Sequence, residues 1–205
     1  MLPEAWTILN LLKWTTSYFK SHDIEKPRAA SEILLAHALS MDRVDLYIQY
    51  DRPLDPKELA VFKGLIQRRL QREPVAHIVG EKGFWSLDLK VTPEVLIPRP
   101  ETEILVEVAL SIIPQNPLPR PLTILDLGTG SGAVVLALAM ERAGHCYYAM
   151  DCSHGALTVA RDNARSHGLD KAIAFFQDSW LDAVSDKGRY FDVIVSNPPY
   201  VSAAE

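Results

Sequence analysis

From Glu4 to about Arg72 the apolar residues recur at intervals of three and four, the spacing that lines one face of an α-helix. Ile8, Leu11, Leu12, Tyr18 and Phe19 mark one face, Ile33, Leu34, His37 and Ala38 a second, and Leu59, Phe62, Leu65, Ile66 and Leu70 a third. Pro27, Pro53 and Pro56 fall between these runs, where proline is tolerated at helix starts and turns. Residues 1–74 therefore read as a small all-helical domain. Near Pro74 the period changes. In "GFWSLDLKVTPEVLIPRP" Phe84, Leu87, Leu89 and Val91 sit mostly in alternation, and "TPE" offers a turn before a second short apolar run, so 75–100 is expected to form a β-hairpin linker.

Helical spacing returns in "RPETEILVEVALSII" and breaks at "PQNPLPRP". Strands and helices then alternate: "LTILDLG", "GAVVLALAMERAG", "HCYYAMD", "SHGALTVARDNARSHG", "KAIAFFQD" and "FDVIVSN". That order implies an α/β domain over 101–205, a doubly wound parallel sheet whose ligands sit at the carboxyl ends of the strands. Four strands are legible in it.

Composition narrows the partners. The 205 residues are 48% hydrophobic, enough for a real core in one domain or a small pair. A net charge of -5 gives no general footprint for a phosphate backbone, so direct nucleic-acid binding is disfavoured. Cys146 and Cys152 are too few for a disulfide framework or a metal site of the usual spacing, and no metal is expected. The start "MLPEAWTILNLLKW" lacks the basic opening and continuous apolar stretch of a signal peptide, and no window approaches about eighteen apolar residues. A cytoplasmic protein without membrane contact is the expectation.

The chemistry gathers at strand ends. In "ILDLGTGSGAVVLALA", Gly128, Gly130 and Gly132 allow positive φ and close approach of a ligand to the backbone, with Asp126 just inside the strand; the same pattern also serves a plain strand-to-helix turn. The next strand ends in Asp151, about twenty residues on, where a carboxylate can accept from both hydroxyls of a ribose or cap the following helix. In "FFQDSW", Asp178 can accept from an adenine amine and Trp180 can lie against the base or simply cover the core. Finally "NPPY" follows the fourth strand. Pro198 and Pro199 fix φ and remove N–H groups, leaving carbonyls free; Asn197 adds a side-chain carbonyl and Tyr200 a flat wall, a combination that fits an edge turn or a holder for a planar NH2 group. Such an amine is a poor nucleophile, and two acceptors would position it and favour the pyramidal geometry that exposes its lone pair.

"LDLGTGSG", Asp151 and "NPPY" together resemble class I S-adenosylmethionine-dependent methyltransferases. Joined to "REPVAHIVGEKGFW", "IPRPETE" and a helical N-terminal domain, they resemble the PrmC/HemK group, the release factor glutamine methyltransferases, over essentially the whole chain. The resemblance implies methyl transfer to the side-chain amide nitrogen of the glutamine in the Gly-Gly-Gln motif of class I peptide chain release factors. It also implies that Gly128, Thr129, Gly130, Ser131 and Gly132 hold the methionine part of S-adenosylmethionine, Asp151 its ribose and Trp180 its adenine. Asn197, Pro198, Pro199 and Tyr200 would hold the glutamine, with Asn197 bordering the cofactor as well and Asn197, Pro198 and Tyr200 acting in catalysis. The helical domain is similar to the part that docks the release factor, and Arg68, Arg69 and Arg72 there read as docking groups or as a solvated helix end. The competing readings are an amino methyltransferase of adenine N6 or a ribosomal RNA base, and an inactive fragment. Sheets of this class have seven strands, so four imply an exposed apolar edge on the last strand and weak or absent activity for the chain as given.

Overall fold

Proline and aspartate start the helices of the first seventy-odd residues where backbone chemistry allows. The structure, a computed structural model, describes residues 6–115, 119–179 and 191–198, and the chain divides between Val79 and Gly80 into two units. In the first, α1 (Ile8–Ser21) is capped by the Thr7 hydroxyl, which accepts from Asn10 N at 3.3 Å. α2 (Pro27–Leu39) and α4 (Pro56–Leu70) open on proline, whose missing N–H is one the helix start leaves unbonded anyway. Asp55 and Glu58 add a capping box to α4. The short α3 (Asp45–Ile48) and α5 (Val75–Val79) complete the unit among the described residues. Ile8, Phe19, Leu34, Leu35, Leu46 and Phe62 are buried at its centre.

α2 departs from the expected face. His37 is exposed, and the buried positions are Ala30, Ser31, Glu32, Leu34, Leu35 and Ala36. The periodicity misplaces this face because two polar residues lie on it with their polar groups bonded. Ser31 donates to the Pro27 carbonyl at 2.8 Å, and the Glu32 carboxylate, 7% exposed, accepts from Arg28, Arg43 and Tyr47. Arg68 and Arg69, in the last turn of α4, and Arg72 just after it are hydrogen-bonded within the unit. Arg68 bonds Glu73 and the carbonyls of His77 and Ile78, Arg69 the carbonyl of Glu73, and Arg72 the carbonyls of His22 and Asp23 at the end of α1.

The second unit opens with the antiparallel pair β1 (Glu81–Phe84) and β2 (Leu87–Lys90). The turn of the hairpin lies at Trp85–Ser86, with Trp85 at φ 56°; "TPE" does form a turn, in which Val95 N donates to the Thr92 carbonyl at 3.1 Å, but it joins no two strands. Residues 91–98 are irregular, since Pro93 and Pro98 deny that stretch the N–H groups a ladder needs. Phe84, Leu87 and Leu89 point into the core of the unit. α6 (Thr102–Ile112), α7 (Ala133–Glu141) and α8 (His154–Ser166) alternate with β3 (Thr123–Leu127), β4 (Cys146–Asp151), β5 (Ile173–Gln177) and β6 (Val193–Ser196). These four strands are parallel, in the order β5-β4-β3-β6. α7 is apolar on every side and buried from Ala133 to Ala139, as a helix enclosed by core must be. Asp192 sets β6 on β3: it pairs with Arg120 and accepts from Thr123 N at 2.8 Å, and the Arg120 guanidinium beside it holds its carboxyl down at about 2. β6 is an edge strand among the described residues, with Ile194 half exposed.

The chain runs outward from β3 to β5 and then returns to the other side of β3 for β6. This Rossmann-like order opens a crevice at the carboxyl ends of β3 and β6, where the direction of winding reverses.

Burial alone would raise the Glu32 carboxyl, but hydrogen bonds from Tyr47, Arg43 and Arg28 outweigh it and hold it at about 2. The stability it supplies is present above its ordinary value of 4.5 and is lost as pH falls toward 2. The two arginine side chains are 73% and 53% exposed, so they can return to water when Glu32 is removed, whereas Glu32 cannot when they are. Glu32→Gln should therefore cost about 1 kcal/mol, and Arg28→Ala with Arg43→Ala about 3 kcal/mol, in urea unfolding at pH 7. Equal losses would show that the carboxylate is not effectively buried.

Candidate active site

β3 ends in Asp126 and Leu127, and the chain then turns through Gly128–Gly132 with its three glycines at φ 74°, 55° and 84°. Side chains hold this turn from outside it. Asp126 Oδ2 accepts from the Thr129 hydroxyl at 2.7 Å and from Val135 N at 3.2 Å, which ties the turn to the first turn of α7. Asp151, at the end of β4, accepts from Gly130 N through Oδ2 and from Ser153 N through Oδ1, each at 2.9 Å. Asn163, 1% exposed on α8, accepts from Lys90 N and donates to the carbonyls of Lys90 and Ser131, so both of its amide hydrogens are spent joining β2 to the turn.

The glycines serve different ends. A Cβ at Gly128 or Gly130 would meet no protein atom within 4 Å, whereas one at Gly132 would stand 3.0 Å from Leu136 Cδ1 and 3.3 Å from Ala160 Cβ. Gly132 thus lets α8 approach α7, and Gly128 and Gly130 leave room that the protein itself does not fill. Thr129 and Ser131 are buried, and the Thr129 hydroxyl is committed to Asp126.

A cavity of about 480 Å³ lies over the strand ends. Its walls include Glu94, Val95 and Leu96, then Gly128 and Gly130, then Asp151, Cys152 and Ser153, with Asp178 on one side and Ser196, Asn197 and Pro198 on the other. A recess of about 60 Å³ shares Leu96, Gly128, Gly130 and Asn197 with it and is lined also by Thr102 and Asp126. The large cavity thus carries three carboxylates, and none of its described lining residues is lysine, arginine or histidine. Asp151 has acceptor capacity beyond its two backbone bonds, since a carboxylate takes about four.

Of the residues singled out in the sequence, Gly128, Gly130, Asp151, Asp178, Asn197 and Pro198 meet at this cavity. Thr129 and Ser131 line the smaller recess, Gly132 lines neither, and Trp180, Pro199 and Tyr200 lie outside the described residues. Sequence reasoning assigned nothing to Glu94, Thr102, Ser153 or Asn163. Asn163 did leave a signal, as a polar residue within the buried stripe Ala156, Ala160 and Ala164 of an otherwise amphipathic helix. Among the described residues no group of three or more His, Cys, Asp or Glu side chains could hold a metal ion, and no helix is long and apolar enough to cross a membrane.

Residues 10–80 match the PrmC N-terminal domain, and 103–205 the Methyltransferase small domain. A release factor glutamine methyltransferase from Geobacter sulfurreducens is 42% identical over 203 residues, covering 99% of this chain and 68% of its own length. The chain belongs to the release factor glutamine methyltransferase family. Relatives of the same name in Chlorobaculum tepidum and Coxiella burnetii are 41% and 45% identical, over 100% and 85% of this chain and 71% and 61% of their own.

A methyltransferase of this family uses S-adenosylmethionine, and the cavity fits it. The cofactor carries a sulfonium and an ammonium against one carboxylate, a ribose diol and an adenine amine, and it bears no phosphate. Walls with three acids and no described base favour such a cation and disfavour a dinucleotide. The open side of Gly128 and Gly130 admits its approach to the backbone.

Two outcomes follow from the turn. Gly132→Ala should lose about 2–3 kcal/mol of stability from crowding and positive φ, whereas Gly128→Ala should lose about 1–2 kcal/mol from φ alone and weaken S-adenosylmethionine binding in calorimetry. The same stability loss at both positions would contradict the division of roles. Burial pushes the Asp126 carboxyl up from 3.8 to about 6 despite the bonds from Thr129 and Val135, and the nearby Asp151 charge adds to the rise. Its contribution to stability is full below pH 4 and falls by about 2–3 kcal/mol as pH rises through 6. Asp126→Asn should flatten that fall in melting curves recorded from pH 4 to 8; an unchanged slope would place its source elsewhere.

Proposed function

We propose that this chain transfers the methyl group of S-adenosylmethionine to the side-chain amide nitrogen of a glutamine, the one in the Gly-Gly-Gln motif of class I peptide chain release factors, in the cytoplasm. The observation that carries the reading is the pairing of two acceptors at the end of β6, the Asn197 side chain and the Pro198 carbonyl, beside an acid-walled cavity at the point where the winding reverses. The Nδ2 of Asn197 is already donated to Thr102 Oγ1 at 3.0 Å, which leaves Oδ1 to accept.

An amide NH2 offers two hydrogens and a delocalised lone pair. Held by Asn197 Oδ1 and the Pro198 carbonyl, both hydrogens gain acceptors as positive charge develops on nitrogen, and these dipoles are in place before reaction. S-adenosylmethionine supplies an electrophilic methyl carbon bonded to sulfur. The N–C bond forms as the C–S bond breaks, and the nitrogen gives up one proton to water. Asp151 suits the ribose, and Gly128 and Gly130 the close passage of the cofactor chain. Trp180, Pro199 and Tyr200 are proposed, from their place in the motifs, to pack the adenine and the glutamine.

The test is the mass of a release factor's Gly-Gly-Gln peptide after incubation with this chain and S-adenosylmethionine, with oligonucleotides as the competing substrate. One methyl on glutamine is expected and none on the nucleic acid; the reverse pattern would move the substrate to a base amine. Asn197→Ala should lower turnover by about 100-fold or more while leaving cofactor affinity within about threefold, because its partner is the substrate. Parallel loss of cofactor binding would make Asn197 a cofactor contact instead.

A further inference from the structure

An asparagine is an ambiguous acceptor. Its amide can turn over with little change in shape, and the turned form presents NH2 where the substrate's own NH2 must bind. A site that relies on Asn197 Oδ1 therefore needs something to fix the amide, and a threonine hydroxyl does so when it accepts from Nδ2 with its own proton turned elsewhere.

We propose that Thr102 is the positioning residue for Asn197: its hydroxyl oxygen takes Nδ2 and turns Oδ1 toward the cavity. Thr102 stands at the start of α6, 95 positions before Asn197 in the chain, and is 9% exposed. Its side chain is β-branched and stiff, and its own N–H donates to the Arg99 carbonyl at 3.0 Å, so the oxygen has a defined place. Asn197 is also fixed on its other flank, where the Ser196 hydroxyl donates to the Leu127 carbonyl at 2.8 Å. No described residue donates to Asn197 Oδ1. The amide is thus spoken for on its nitrogen and open on its oxygen, as an acceptor for a planar amine must be. The hydrogen bond stands on geometry alone; its consequence for turnover rests on the glutamine reading above.

Two measurements separate the parts. In the 15N-labelled chain, the Asn197 side-chain NH2 signals, assigned by their disappearance in Asn197→Asp, should show slow solvent exchange that Thr102→Ser retains and Thr102→Val abolishes. Signals that are equally fast in all three would overturn the proposal whatever the substrate is. In methyl transfer to the Gly-Gly-Gln peptide, Thr102→Val should lower kcat by about 10- to 100-fold with cofactor Kd within about twofold, and Thr102→Ser should recover most of it. A residue that only supports the fold would lose kcat and cofactor binding together, with no recovery by serine, and that result would also overturn the proposal. If the parent chain methylates no glutamine peptide, the substrate reading fails, and the exchange measurement still decides the role of Thr102.

Discussion

One buried carboxylate organises the second unit. Asp126 lies next to the end of the central strand and sits under the glycine turn, where its Oδ2 gathers the Thr129 hydroxyl and the Val135 amide in the first turn of α7. Strand, turn and helix are thereby joined at a single atom. Desolvation makes this arrangement costly, which is why the carboxyl is pushed up to about 6, and only donors fixed on both neighbouring elements make an ionised group tolerable there. Because the turn is held from beneath, its outer surface needs no support of its own, and Gly128 and Gly130 can leave space that belongs to a ligand.

The same logic recurs around the crevice: the glycine turn, strand ends and one side chain are each tied down by a side chain from another element. Asn163 pins Ser131 and Lys90, Asp151 pins Gly130, Ser196 pins Leu127, and Thr102 reaches Asn197. Each tether uses a short polar side chain with few rotamers, so little freedom is lost per bond made. The result is a crevice rim whose groups, Asn197 among them, are held in place by other residues of the chain.

What was legible in the sequence follows from distance along the chain. Strand–glycine–helix alternation, Asp151 after the second strand and Asn197 after the fourth are local patterns, and they fall where the periodicity puts them. The α2 face was misread because Ser31 and Glu32 are polar yet buried, and only their partners, Arg43 and Tyr47 among them, make that burial possible. The hairpin turn is misplaced because "TPE" is a real turn but not the one between the strands, whereas Trp85 takes a left-handed φ without a glycine to announce it. Thr102, Asn163 and Glu94 were missed for one reason: each owes its place to residues 60 to 100 positions away, and a single sequence carries no record of who meets whom.

The crevice also has an order of appearance. Its walls come from stretches between residues 94 and 198, and the strand that bears Asn197 and Pro198 pairs with β3 across about seventy intervening residues. Local contacts form before distant ones, and a chain leaving the ribosome offers its amino end first. The helical unit can therefore settle while β3 still waits for its second neighbour. Among the described residues, the wall that bears Asn197 and Pro198 is the last part of the crevice to leave the ribosome.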